Sequence, residues 1–472
     1  MAAEEYFEED EFREMLEEYE RTVESGEMVF MDAEDLADIA DYYHLHGLYD
    51  DAEKAILRAL ELEPDSPIAL SYRVHEALSH RDYEAAEDYL EQMTDREHPE
   101  YIYCRAEIWI AQGMIEKADS HLRECQKYVS PFEYDDYVHD AATLWTEYNC
   151  HEKAMEWMMR IQPEESDEFK ELMGQTYFGM GAYDDSERIY NELIDKDPFQ
   201  KRYWNALANV QFMKEDFSAA VTSSEYAIAI DPEDPEGIMA KANALFRLEN
   251  FEEALKYYER YSEKEKENDE ASLLYQGGCL INLKRFDEAK ERLLKAEEMA
   301  PADSPYLAEI YQELAFVYNE LKMPETALYY IDKTETQPCD HNDMMVIRGH
   351  ILLNNGRVEE AQETFKEALK ASGFASQTLM RIIVSVYDNH YVESAYKMFL
   401  KYFKIVDDDC TEGYAYMALC CHDLLRFDEY LSYLKEACQR NPQEAKLVLS
   451  HLFPEGFKPE EYYEYAKNNQ KP

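Results

Sequence analysis

Residues 201–232 read KRYWNALANVQFMKEDFSAAVTSSEYAIAIDP. Small residues stand at Ala208 and Ala220 within this stretch, and Pro232 closes it. Where two antiparallel helices cross, the side chain at the closest approach must be short, or the helix axes are pushed apart. Proline cannot continue a helix and fixes the turn that follows. The stretch therefore predicts two antiparallel helices followed by a turn.

This pattern recurs along almost the whole chain, every 32 to 38 residues. The position of Ala220 is taken in chain order by Ala52, Ala86, Ala118, Ala154, Ser186, Ala220, Ala254, Ala289, Ala327, Ala361, Ala395 and Tyr430. The position of Ala208 is small in most repeats, with Val74 and Ile383 as exceptions. A helix-turn-helix repeat of about 34 residues has this period. We expect twelve repeats, which begin near residues 33, 67, 99, 135, 167, 201, 235, 270, 308, 342, 376 and 411.

Two stretches resemble the signature of the tetratricopeptide repeat (TPR) family. They are Trp204, Leu207, Ala208, Phe217, Ala220, Ala227 and Pro232, and Ala40, Tyr43, Gly47, Tyr49, Ala52, Ala59 and Pro64. The resemblance covers about nine tenths of the chain. It implies an all-α fold, an α-solenoid in which TPR helix pairs form a right-handed superhelix. Residues 33–444 would form the array, between an N-terminal capping helix in 1–32 and C-terminal capping helices in 445–472.

Both ends of the chain carry apolar residues at helical spacing. They are Phe12, Leu16, Tyr19 and Val23, before a helix stop at Ser25-Gly26, and Leu447, Leu449, Leu452 and Phe453, before a last helix near Pro459–Asn468. The end of a solenoid exposes apolar surface that needs a cover. We therefore expect capping helices, although a docking helix for a partner stays open at the N-terminal end.

The chain holds 103 acidic and 47 basic residues, a formal net charge of −56. Residues 1–200 hold 54 acids and 16 bases, so the N-terminal part is the more acidic. Such a field repels phosphates and removes the main source of nucleic-acid affinity, but it attracts basic proteins. We expect a protein or peptide partner of basic character and no nucleic acid, while a purely solubilising role for the acids stays open.

Met1–Asp10 is acidic and lacks the basic leader and apolar run of an export signal. No stretch reaches the roughly 18 apolar residues of a membrane span. The nine cysteines are scattered without a CxxC pair, which favours a reducing compartment and buried, inert thiols. We expect a cytoplasmic protein away from the membrane, and the lack of linker segments favours a bacterial source.

Sequence motifs of catalysis are missing, because the chain contains no GxxxxGK[ST], GxGxxG, HExxH, GxSxG or EF-hand pattern. His44 and His46 form an HxH at a helix end, where side chains two apart point to different faces and favour a surface pair over a metal site. We therefore expect no catalytic residue, no metal and no cofactor.

The resemblance places function on the concave face, into which positions 2, 5, 9, 12 and 13 of each repeat point. The predicted peptide-binding residues are Arg202, Asn205, Asn209, Phe212, Asn243, Phe246 and Arg247. TPR proteins use asparagines one repeat apart to hold a peptide backbone, because an amide both donates and accepts hydrogen bonds. Alternatively, the asparagines satisfy helix-end or inter-repeat groups. Asn205 and Ala240 stand where the chaperone-tail clamp of the family needs basic residues, which disfavours that ligand.

We expect a non-catalytic scaffold or adaptor that binds a peptide segment or a partner protein in the groove. The alternatives are a regulatory or targeting subunit of an enzyme complex and a peptide-responsive sensor. Since a fold does not by itself give a function, the sequence leaves the partner and the process open.

Overall fold

The computed structural model describes residues 7, 10–25, 31–161, 166–264, 270–407, 409–454 and 456–469. Within these ranges the chain forms α-helices joined by turns and three short 3₁₀ turns, and none of the described residues lies in a strand. The all-α prediction is therefore confirmed. Most of Met1–Asp10 lies outside the described residues, as does Gly26. The chain divides into an N-terminal unit, Met1–Ile230, and a C-terminal unit, Asp231–Pro472.

Among its described residues, the N-terminal unit has a leading helix and six helix pairs. Its helices are α1 Asp10–Ser25, α2 Ala33–Leu45, α3 Tyr49–Leu62, α4 Pro67–Ser79, α5 Tyr83–Gln92, α6 Pro99–Ala111, α7 Ile115–Cys125, α8 Tyr134–Glu147, α9 His151–Met158, α10 Asp167–Gly179, α11 Tyr183–Lys196, α12 Lys201–Met213 and α13 Phe217–Ile230. The two helices of each pair pack against each other. The first helices of neighbouring pairs also touch, from α2 through α4, α6 and α8 to α10. We call the surface formed by these five helices the first-helix face.

In the described part of the C-terminal unit, six helix pairs are followed by two final helices. They are α14 Pro235–Arg247, α15 Phe251–Lys264, α16 Glu270–Asn282, α17 Phe286–Met299, α18 Leu307–Glu320, α19 Pro324–Lys333, α20 His341–Asn354, α21 Val358–Ala371, α22 Ser376–Asp388, α23 Val392–Tyr402, α24 Tyr414–Asp423, α25 Phe427–Arg440, α26 Pro442–Leu449 and α27 Pro459–Asn469. The first helix α14 begins at a proline, as α4 and α6 do in the N-terminal unit, and proline lacks the N–H that a helix start leaves unpaired. The Asp234 side chain, for example, accepts the Gly237 N–H directly before α14.

The small residues of the repeat pattern lie at the helix crossings. All twelve residues of the Ala220 position are at most 1% exposed, and Ser186 among them donates a hydrogen bond to the Gly174 carbonyl, 2.8 Å away. Val74 and Ile383, which replace the small residue of the partner helix, are also fully buried. The last repeat buries Tyr430 at the same position, where its ring lies 5.4 Å from that of His422.

The turn inside each pair contains one residue in the left-handed conformation. These residues are Gly47, Arg81, Gly113, Asn149, Gly181, Glu215, Glu249, Lys284, Lys322, Gly356, His390 and Leu425. Each is the fifteenth residue of its repeat. Eight of them carry a side chain, and a side chain there costs about 1–2 kcal/mol. A search for glycine would therefore have missed most of these turns.

Helix α1 packs its apolar side on the first pair. Phe12 and Tyr19 are at most 4% exposed and belong to one cluster with Leu36 and Tyr43. Val23, which we expected on the packed side, is 52% exposed. Thr22 is buried instead, and its hydroxyl donates to the Tyr19 carbonyl. The packed side of α1 therefore ends on a polar residue close to the helix terminus.

The last two helices pack on the final pair. Pro442 begins α26, with the Asn441 side chain accepting the Glu444 N–H. The rings of Phe453 and Tyr462 stack with 3.9 Å between their centroids. Leu449 and Tyr462 are buried, whereas Leu447 is exposed. The apolar residues at this end thus divide between a packed and an exposed side.

Candidate functional site

The ninth residues of repeats one to five lie in a row on the first-helix face. In the N-terminal unit the ninth residues are Asp41, His75, Glu107, Thr143 and Gln175 on the five helices of this face, and Asn209 on α12. The first three are titratable and come from α2, α4 and α6. Sequence reasoning singled out Asn209 and missed these three, although the same position rule, applied to repeats one to three, identifies them.

His75 and Glu107 make the central contact of this row. The His75 Nε2 lies 3.0 Å from a carboxylate oxygen of Glu107. The other oxygen of Glu107 accepts a hydrogen bond from the Tyr148 hydroxyl at 2.9 Å. The buried Cys104, one turn before Glu107 on α6, places its Sγ 4.0 Å from the same Nε2. Imidazole, thiol and carboxylate therefore meet between two neighbouring helices.

The electrostatics of the row show that protein surrounds it. Although 54% of the His75 side chain is exposed, nearby protein atoms displace water and thereby oppose its charged form. Contacts with Cys104 and Glu107 outweigh this effect and raise the pKa of His75 well above its usual value. Desolvation is the largest effect on Asp41 and raises the pKa of its carboxyl to about 6. Attraction to His75 lowers this pKa, and repulsion from Asp38 raises it.

Glu147, at the end of α8, behaves in the same way. Desolvation, with repulsion from Glu107, raises the pKa of its carboxyl. The side chains of Asp41 and Glu147 are both exposed to solvent. Water therefore reaches both side chains, although nearby protein atoms oppose their charged forms.

Further polar contacts join the first helices of the N-terminal unit. The Tyr103 hydroxyl donates to Asp140 at 3.0 Å, which links α6 to α8. His44 Nδ1 lies 3.1 Å from the Tyr72 hydroxyl. Thr146 and Thr176 place their hydroxyl oxygens 3.2 Å apart. Side chains therefore connect each first helix to the next and hold the face in place.

In repeat six, the predicted binding residues divide between surface and interior. Asn209 is exposed and Phe212 is half-buried against Phe217, with 5.3 Å between ring centroids. Asn205 is 2% exposed, so it lies inside the pair. Arg202 lies 3.3 Å from the carboxylate of the buried Glu171 and its guanidinium lies over the Tyr203 ring.

In repeat seven, the Asn243 side chain already has a partner. Its Oδ1 accepts a hydrogen bond from the Tyr258 hydroxyl at 2.7 Å. Phe246 is half-buried beside Phe251 and Tyr275, and Arg247 is exposed. Asn209 belongs to the N-terminal unit and Asn243 to the C-terminal unit. Their joint action on a peptide therefore stays a prediction.

All nine cysteines are free thiols. Burial raises the pKa of Cys279, Cys420 and Cys421 to about 12, which keeps them protonated and unreactive near neutral pH. Cys150, Cys339, Cys410 and Cys438 are half-buried. Among the described residues, no helix is both long enough and apolar enough to cross a bilayer.

Comparison with known proteins identifies the repeats. Models described as tetratricopeptide repeat match residues 38–101 and 172–235, 245–314 and 343–373. RNA polymerase II-associated protein 3 from Homo sapiens is 24% identical over 200 residues, which are 42% of this chain. The chain spans 26% of the length of that relative.

Two of the solved structures that are similar to the chain cover more than half of it. The yeast Tom70 structure gives a TM-score of 0.43 at 16% identity and covers 93% of this chain and 96% of its own. A tetratricopeptide repeat protein from Parabacteroides merdae gives a TM-score of 0.41 at 10% identity, covering 54% of this chain and 98% of its own. Because tetratricopeptide repeat models match segments between residues 38 and 373, the chain belongs to the tetratricopeptide repeat family.

Proposed function

We propose that this protein is a non-catalytic scaffold that binds an extended, basic segment of a partner protein on its first-helix face. Proteins of this fold generally mediate protein–protein interactions. The observation that carries the proposal is the pair of carboxyls of Asp41 and Glu147, which water reaches although nearby protein atoms oppose their charged forms. The negative charge of these carboxylates favours a basic ligand.

Raised pKa values mark carboxyls that lack full hydration. The pKa of Asp41 is raised to about 6, and that of Glu147 is raised as well. A lysine or arginine side chain placed beside them would supply the missing charge compensation. Pairs formed in such partly desolvated places are worth more than pairs on an open surface.

The long-range field acts in the same direction. Residues 1–200 carry 54 acids and 16 bases, so a basic segment is attracted before it makes contact. The face also presents polar side chains one repeat apart, such as Thr143 and Gln175 in the ninth positions of repeats four and five. An extended chain that lies along the row can alternate basic side chains with backbone contacts to these groups.

Repeats six and seven supply a second set of proposed contacts. Asn209, Phe212, Phe246 and Arg247 reach the surface and keep their proposed roles, each within its own unit. Asn205 is buried, and the half-buried Arg202 lies beside the buried carboxylate of Glu171. We assign these two residues to positioning rather than to direct peptide contact.

The ends of the chain are proposed to cap the array. Phe12 and Tyr19 of α1 cover the first pair, and Tyr462 of α27 covers the last. These contacts support the assignment of residues 1–32 and 445–472 as caps on a repeat array at 33–444.

A regulatory or targeting subunit is a second candidate. It is supported by the name of the human relative, which describes association with RNA polymerase II. A subunit of this kind would use the same face, so the two candidates differ in what the partner does after binding.

A selection experiment tests the ligand class. Random peptides displayed on phage are selected on the protein, on the variant Asp41→Asn/Glu147→Gln, and on the control Glu61→Gln/Asp88→Asn. The control removes the same number of charges from exposed positions on α3 and α5. We expect peptides rich in lysine and arginine on the protein and the control, and loss of this enrichment on the first variant. The same enrichment on all three would remove the proposal.

A further inference from the structure

The donors between α4 and α6 form a cluster of metal-ligand type. His75, Cys104 and Glu107 each bring one ligand atom, and these atoms all lie within 4.8 Å of one another. Nitrogen, sulfur and oxygen donors of these three side chains are the usual ligands of zinc. We propose that His75, Cys104 and Glu107 form a Zn²⁺ site on the first-helix face.

The distances are close to those that zinc requires. Zn–N and Zn–O bonds of about 2.1 Å and a Zn–S bond of about 2.3 Å in a tetrahedron place donor atoms about 3.4–3.6 Å apart. The Nε2 of His75 lies 3.0 Å from the Glu107 oxygen and 4.0 Å from the Cys104 Sγ. Changes in side-chain torsion angles that move these atoms by a few tenths of an ångström bring both separations into the tetrahedral range, and the Cys104 Sγ lies within 4.8 Å of the Glu107 oxygen.

The backbone holds the donors in place. Cys104 and Glu107 are three residues apart on α6 and therefore lie on one side of that helix. His75 comes from α4, which packs directly on α6. Because the two helices belong to neighbouring pairs with buried crossings, binding needs no rearrangement of the fold. Such preorganisation lowers the cost of ordering the ligands.

The surroundings also match a zinc site. The Tyr148 hydroxyl donates to the Glu107 oxygen that does not face His75, at 2.9 Å. Hydrogen bonds of this kind to a ligating carboxylate fix its orientation and are a regular part of metal sites. Cys104 is 1% exposed, so the surrounding protein limits the access of solvent oxidants to its thiol.

Three protein ligands leave the fourth position of a tetrahedral ion for another donor. The His75 side chain is 54% exposed, so water or a side chain of a partner can reach that position. On binding, the thiol gives up its proton, as does His75 if it is protonated, and both protons pass to solvent. The site does not depend on the proposed peptide binding.

The sequence offers a control cysteine in a comparable place. Cys125 on α7 lies 3.7 Å from His121 Nδ1. Among the described residues, this pair is joined by no third donor within ligand distance. Cys125→Ser therefore removes a thiol near a histidine without touching the proposed site.

Cobalt(II) is the probe, because it replaces zinc and reports its ligands by its spectrum. The full-length protein is titrated with Co²⁺ at about 0.1 M salt, which screens surface carboxylates. We expect one equivalent per chain, with a thiolate-to-cobalt charge-transfer band in the near ultraviolet. Zn²⁺ should displace the cobalt and abolish the band. Cys104→Ser should lose the band and Cys125→Ser should keep it, while Glu107→Gln should weaken binding at least tenfold.

Thermal unfolding provides an independent reading. Zn²⁺ should raise the melting temperature of the protein and of Cys125→Ser, but not that of Cys104→Ser. Melting curves without metal show whether Cys104→Ser is folded, and His75→Ala repeats the test at a second ligand. A spectrum without a thiolate band, or a band that survives in Cys104→Ser, would overturn the site. Weak binding that no variant changes would show that the acidic surface alone attracts the ion.

Discussion

His75 and Glu107 occupy the ninth position of consecutive repeats, and their side chains meet with 3.0 Å between Nε2 and a carboxylate oxygen. Equivalent positions one repeat apart therefore touch on the first-helix face. The ninth residues of the repeats are far apart in the sequence, but those of consecutive repeats are neighbours in the fold. Asp41, one repeat earlier, lies within electrostatic range of His75 and extends this row.

Asn243 contributes to stability through Tyr258. The Tyr258 ring is fully buried and its hydroxyl donates to Asn243 Oδ1. Asn243→Ala removes this acceptor and should cost about 1–3 kcal/mol. The midpoint of urea unfolding measures the loss. In the double variant with Tyr258→Phe, the added cost of Asn243→Ala should shrink, because no hydroxyl is left unpaired; strictly additive costs would show that the hydrogen bond contributes nothing.

Two adjacent glycines on α16 should respond in opposite ways to alanine. A Cβ at Gly277 would lie 2.6–2.7 Å from atoms of the buried Leu293, whereas a Cβ at Gly278 would meet Phe246 at 3.4 Å. Gly277→Ala should destabilise the protein by about 1–3 kcal/mol through overpacking. Gly278→Ala should be neutral or gain up to about 1 kcal/mol from helix propensity. Equal melting temperatures for the two variants would place the helix crossing elsewhere.

Glu313 on α18 makes stability depend on pH. Desolvation, with repulsion from Glu309, raises the pKa of its carboxyl from 4.5 to about 7. A raised folded-state pKa means that the stabilising contribution is present below pH 4.5 and is lost as the pH rises through about 7. Glu313→Gln should therefore gain about 1–3 kcal/mol over the parent protein between about pH 5 and pH 8.

Melting temperatures across this pH range measure the effect of Glu313. The control is Glu298→Gln on α17, which removes one charge at an exposed position. If Glu298→Gln gives the same pH-dependent gain, the effect comes from the overall negative charge and not from the desolvated site.

Helix α1 should stabilise the first repeat through Phe12. This side chain is 1% exposed and its ring lies 5.4 Å from that of Tyr42. Phe12→Ala should cost about 3–5 kcal/mol locally. Hydrogen exchange of the α2 amides measures this loss. Val23→Ala at the exposed position 23 should leave exchange in α2 unchanged; unchanged exchange in Phe12→Ala as well would mean that α1 does not cap the array.

Much of the fold could be predicted from the sequence, because a helix crossing restricts residue size. Ala220 and its eleven equivalents mark every pair, and all are buried. Tyr430 shows that the position also accepts a large buried ring in the last repeat. The exposure of Val23 could not be predicted, since helical spacing gives the side of a helix but not how far its partner extends.

The site was less predictable, because periodicity names positions but not their surroundings. Asn205 and Asn209 both occupy groove positions, yet the first is buried and the second exposed. Whether Asn243 had a partner depended on Tyr258, fifteen residues later on α15. Cys104 belongs to a non-groove position, so no position rule could have joined it to His75.

The affinity of one basic peptide tests the central claim most directly. A lysine- and arginine-rich peptide from the selection is titrated calorimetrically into the protein, into Asp41→Asn/Glu147→Gln and into the control Glu61→Gln/Asp88→Asn. Both variants change the net charge equally, so only contact with the first-helix face distinguishes them. We predict that the first variant binds roughly 10- to 100-fold more weakly and the control within about twofold of the parent protein. Equal losses in both variants would mean that net charge alone attracts the peptide, and would contradict a binding site on the first-helix face.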